Sequence, residues 1–88
     1  MKLFKIIFFL ILIPSSLLAA TDYFSEGLIF YKKNDLDKAK FKFEQDLVFN
    51  PKNEKSYLYL AKIFNTQKKK DLEEKNLNTV ILLNPKNE

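Results

Sequence analysis

The tetrapeptide Pro-Lys-Asn-Glu occurs twice in this chain, at 51–54 and again at 85–88, an offset of 34 residues. Each copy follows an apolar run ending in asparagine, Leu47-Val48-Phe49-Asn50 and Ile81-Leu82-Leu83-Asn84. A period of that length, with a proline closing each unit, is the mark of a stacked helix-turn-helix array. One such unit cannot bury its apolar face alone and does so against its neighbour.

The pattern inside each unit agrees with that reading. Tyr23, Gly27, Phe30 and Tyr31 fall at helical spacing, and Tyr57, Leu60, Ala61 and Phe64 do so one period later. Asn34-Asp35 breaks the first unit, after which Leu36, Ala39, Phe43 and Leu47 form a second helical stripe. In the second unit Lys68-Lys69-Lys70-Asp71 marks the turn, and Leu77, Val80 and Ile81 continue. The spacing predicts an all-α fold with helices near 22–33, 36–49, 54–66 and 71–83. Asn50-Pro51 and Asn84-Pro85 end the even helices, because proline pushes its predecessor out of the helical region.

These residues resemble the tetratricopeptide repeat family. The first unit matches its signature with Tyr23, Gly27, Phe30, Ala39, Phe43 and Pro51, and the second with Tyr57, Leu60, Ala61, Phe64 and Pro85. The likeness covers essentially all of 21–88, as two units of about 21–53 and 54–88. It implies two antiparallel helix hairpins in a short α-solenoid. Three positions depart from the signature: Glu26 replaces a leucine, Asp46 a small residue and Glu73 an alanine. The last departure predicts a longer turn, or a late start, for the fourth helix.

The resemblance also implies a concave groove lined by the first helix of each pair. Its positions here are Thr21, Phe24, Leu28, Tyr31 and Lys32, then Lys55, Tyr59, Lys62 and Asn65. Aromatic area beside lysine and asparagine suits an extended peptide or a helix of a protein partner. Phe24 and Leu28 read equally as core. The Lys and Asn pair with which some family members clamp a terminal carboxylate would fall on Phe24 and Leu28, so that clamp is missing.

Ahead of the repeats, residues 1–20 have the layout of an exported protein's signal peptide. Lys2 and Lys5 give a positive start, Ile6 to Ile13 is uninterrupted apolar sequence, and Leu17-Leu18-Ala19-Ala20 ends in small residues. The run is short for a membrane span, which needs about 20 apolar residues. Cleavage after Ala20 or Ala19 leaves a leucine where a second small residue is preferred, so an uncleaved membrane anchor is the alternative. The expected location is periplasmic or secreted. With Lys2 and Lys5 in the leader, the rest carries a net charge of +2, against +4 for the whole. That excess is too small and too scattered to point to nucleic acid.

The chemistry available for catalysis is thin. There is no cysteine and no histidine, and the single glycine rules out a glycine-rich phosphate loop. Glu73 and Glu74 are adjacent and diverge on a helix, while Asp35 and Asp37 suit a helix start. Lys68-Lys69-Lys70 reads as a solvated turn, since Asp71, Glu73 and Glu74 follow it. The expectation is a non-catalytic interaction module with no cofactor and no metal. Its alternatives are a membrane-tethered structural accessory of an envelope assembly and a truncated remnant of a longer repeat protein. Two repeats are fewer than such arrays usually need. The last helix is therefore expected to expose Leu77, Val80 and Ile81, for self-association or for docking on a larger assembly.

Overall fold

A computed structural model of the chain describes residues 22–86. The leader at 1–20, Thr21, Asn87 and Glu88 lie outside the described residues. The described part is all-α: α1 (Tyr23–Lys32), α2 (Leu36–Phe49), α3 (Glu54–Thr66) and α4 (Lys70–Leu83). No described helix is long and apolar enough to cross a membrane.

Local chemistry sets the helix ends. The Asp22 carboxylate caps α1, accepting from the Ser25 N–H at 3.1 Å and from the Ser25 hydroxyl at 2.6 Å. Helix α1 closes on Asn34, whose φ of 63° lets its own N–H reach the Tyr31 carbonyl and the Asp35 N–H reach that of Phe30. This pair of bonds is the Schellman closure. Helix α3 closes the same way one period later. Lys68 has φ 61°, its N–H reaches the Asn65 carbonyl, and the Lys69 N–H reaches that of Phe64. Helices α2 and α4 consequently start 34 residues apart, at Leu36 and Lys70. The longer turn expected from Glu73 does not form, because the left-handed residue at 68 closes the turn in the same number of residues as Asn34.

Successive helices pack against one another: α1 on α2, α2 on α3 and α3 on α4. Pairs run antiparallel. Tyr23 at the start of α1 stacks on Phe49 at the end of α2, at 5.7 Å. The Asn84 amide at the end of α4 donates to the Glu54 carboxylate at the start of α3, at 3.1 Å. The buried cluster is Ala39, Phe43, Leu60, Ile63 and Phe64, all from α2 and α3, the two helices with neighbours on both sides. Helix α4 contributes no buried residue.

Two features of the core explain residue choices in the sequence. At Gly27 a Cβ would lie 2.6 Å from the Phe43 ring, so only glycine admits that ring against α1. Asp46 is buried at the junction of α2 and α3 and is held by three donors. Its carboxylate accepts from the Asn50 amide at 2.9 Å, the Asn53 amide at 2.7 Å and the Ser56 hydroxyl at 2.6 Å. The departure from a small residue at 46 is therefore a polar latch across the turn, with its buried acceptors satisfied.

Candidate functional site

Helices α1 and α3 meet through aromatic rings. Tyr59 of α3 packs edge-on to Phe24 at 5.9 Å and to Tyr31 at 5.1 Å, and stacks on Phe43 at 5.3 Å. These contacts hold the two helices on which the expected groove lies. Phe24, Leu28, Tyr31 and Tyr59 are half-buried and pack on the core cluster. Lys32, Lys55, Lys62 and Asn65 are exposed.

One open pocket of about 490 Å³ gathers part of this set. Tyr31 from α1 and Ala61, Lys62, Asn65 and Thr66 from α3 line it, together with Glu73 and Leu77 from α4. Of the expected positions, the structure brings Tyr31, Lys62 and Asn65 into this pocket. Phe24, Leu28 and Tyr59 do not line it and instead pack against the buried core cluster. Lys32 and Lys55 do not line it. Ala61, Thr66, Glu73 and Leu77 belong to the pocket and were not among the expected groove positions. The 34-residue period held a signal for two of them, since Glu73 and Leu77 stand where the first unit has Ala39 and Phe43, which pack beside Tyr59.

The pocket's charges are arranged unequally. The Asn65 amide donates to the Glu73 carboxylate at 3.2 Å. The Lys62 ammonium lies over the Tyr59 ring, 5.1 Å from its centroid. Such an ammonium keeps its charge available while its stem covers the ring. Among the described residues no carboxylate lies within ion-pair distance of Lys62. The wall thus offers a cation, an amide hydrogen-bonded to a carboxylate, and a phenol, which can bind backbone and charged side chains.

A larger notch of about 520 Å³ is bounded by the single run from Phe49 to Asn53. It is the inside of the interhelical bend and gathers nothing from separate elements. Among the described residues no group of three or more acidic side chains is placed to hold a metal ion. The residues expected for self-association differ in placement: Ile81 is exposed, whereas Leu77 and Val80 are half-buried. Leu82, the next residue, is 80% exposed. No family model, no curated protein and no solved structure matches the chain.

Proposed function

We propose that this chain is an exported, non-catalytic interaction module of the tetratricopeptide type, holding a helix or extended peptide of a protein partner along α1 and α3. The observation that carries this reading is the open pocket where Tyr31, Lys62 and Asn65 converge. Supporting it, both hairpins close on a left-handed residue one period apart, as a repeated unit would. The groove gives a partner aromatic area that is already immobilised by core packing, so little side-chain entropy is lost on binding. Lys62 and Asn65 then fix orientation. The acids elsewhere have structural work that needs no substrate: Asp22 and Asp35 cap helices, and Asp46 forms the latch. The N-terminal residues 1–20 support export by their charge and apolar run.

A photo-activatable residue in the full chain tests the groove. Placed at Asn65 it should give covalent adducts with protein on illumination of producing cells, and placed at Glu44, exposed on α2, it should not. Equal labelling from both positions, or none from Asn65, would refute the groove.

A further inference from the structure

We propose that the partner helix is α1 of a second copy of this chain, docked head to tail over the pocket that Tyr31 of α1 shares with α3 and α4. This rests on the groove reading above and names its occupant. The residues of that groove are the 34-residue counterparts of the residues around Tyr59 inside the chain. Leu28, Tyr31, Ala39 and Phe43 pack about α3, and their counterparts are Lys62, Asn65, Glu73 and Leu77. The geometry that receives α3 is thus repeated at the pocket, but three of its four residues have become polar.

The other end of the molecule has changed in step. The α3 residues that enter the first groove are Tyr59, Leu60 and Ile63. Their counterparts on α1 are Ser25, Glu26 and Ile29. Ile63 is fully buried, whereas Ile29 is 53% exposed and lines a shallow apolar pocket of about 340 Å³ with Phe30, Glu26, Lys33 and Lys42. An apolar insert therefore sits in the apolar groove, and a polar insert built around one isoleucine is left for the polar groove built around Leu77.

The charges complement one another. Lys33 and Lys42 flank Ile29 where α3 and α4 have the neutral Gln67 and Asn76. The receiving helix carries Glu73 and Glu74 where α2 has Ala39 and Lys40. Lys62, the groove's cation without a carboxylate, replaces Leu28 on the wall that would meet Ser25 and Glu26. Within each copy Glu26 pairs with Lys42 at 2.8 Å, so the incoming face carries that pair beside Lys33; stacking in this register sets Lys33 toward Glu73 and Glu74 and brings Lys62 to the Glu26–Lys42 pair. Opposed patches of this kind select register and suppress wrong pairings. Such an interface uses different surfaces on the two copies, so it repeats and lengthens the array instead of stopping at a dimer.

The chain has no native cysteine, which makes the test direct. In the full chain, Ile29→Cys and Leu77→Cys are introduced singly and together, and producing cells are treated with a short bis-maleimide. The double variant should give a ladder of dimer, trimer and higher species, and each single variant only monomer. Adding Lys62→Glu to the double variant should reduce the ladder at least tenfold; Lys62 is exposed, and a circular dichroism melt checks that the fold survives. The proposal is overturned by absence of a ladder when both thiols label with a monofunctional maleimide, or by dimers from a single variant. It is equally overturned by a ladder that ignores Lys62→Glu. Adducts from position 65 to a different protein, with no ladder, would sink the second copy as occupant and leave the groove reading standing.

Discussion

Gly27 and Ala61 occupy the same place in successive units, and the residues facing them differ in a compensating way. Gly27 meets the Phe43 ring, while Ala61 shares its pocket with Leu77, the counterpart of Phe43. Alanine favours a helix over glycine by about 1 kcal/mol. Overpacking a filled core costs about 1–3 kcal/mol, and the fully buried Phe43 ring, stacked on Tyr59, has nowhere to retreat. Gly27→Ala should therefore lower stability by roughly 1 kcal/mol despite its helix propensity. Combining it with Phe43→Leu should cost at least about 0.5 kcal/mol less than the two changes summed, measured as a double-mutant cycle in urea. Additivity would show that the ring is free to move. Asp22 supplies the pH-dependent term at this scale. The Ser25 hydroxyl, and then the Ser25 N–H, hold its carboxyl below the ordinary value of 3.8. A carboxyl lowered on folding adds stability above its unfolded value and loses it as pH falls through the folded one. Asp22→Asn keeps a capping acceptor without the charge, so its thermal midpoint should fall less than wild type between about pH 5 and pH 2. Parallel acid curves for the two proteins would remove Asp22 from the account.

Helix boundaries were legible in the sequence because their causes are local. Asn34-Asp35 supplied both the left-handed closure of α1 and the cap of α2, and Asn-Pro ended the even helices. Lys68 was the hidden counterpart of Asn34, since lysine has no preference for the left-handed region that its position requires. Lys68→Gly should therefore stabilise the protein by about 0.5–1 kcal/mol, seen as a higher urea midpoint with unchanged slope. No gain would mean that the turn's backbone conformation differs from the one described. The Asp46 latch was not legible, because its four members are far enough apart in sequence to read separately as a surface acid and turn residues. It joins α2 to α3 by hydrogen bonds that only the bend at Pro51 brings within reach. Asp46→Ala leaves the buried Ser56 hydroxyl without its acceptor and the Asn53 amide with only its longer bond to Ser56, at a cost of roughly 1–3 kcal/mol. Asp46→Asn, which retains one acceptor oxygen, should cost less when both are unfolded in urea. Equal loss in the two variants would assign the effect to the charge alone. The pocket was half legible for a related reason: Tyr31, Lys62 and Asn65 were expected from the family resemblance, which lines the groove with first helices, whereas Glu73 and Leu77 enter from α4, a second helix, and only their 34-residue offset from Ala39 and Phe43 marked them.

Across the whole molecule, burial is concentrated at the centre of the helix sequence. Helices α2 and α3 hold every member of the buried cluster, α1 adds only the buried Gly27, and α4 adds none. In a molecule whose main contacts join successive helices, with α1 and α3 meeting through Tyr59, stability is close to a sum of local terms, so a helix packed chiefly on one neighbour opens at lower free energy. Three facts mark α4 as that helix: its start at Lys69 has no side-chain cap, its Leu82 is largely exposed, and one interhelical hydrogen bond, from Asn84 to Glu54, ties its far end. Amide hydrogen exchange of dilute protein should accordingly show α4 protected at least tenfold less than α2 and α3, with α1 between them. Head-to-tail docking would cover α4 with the next copy, so its protection should rise with protein concentration while that of α3 stays constant. Uniform protection across all four helices at low concentration would contradict that sum of local terms. Protection of α4 that stayed low at every concentration would count against the second copy, because the exposed helix and the empty groove are two sides of the same unfinished packing.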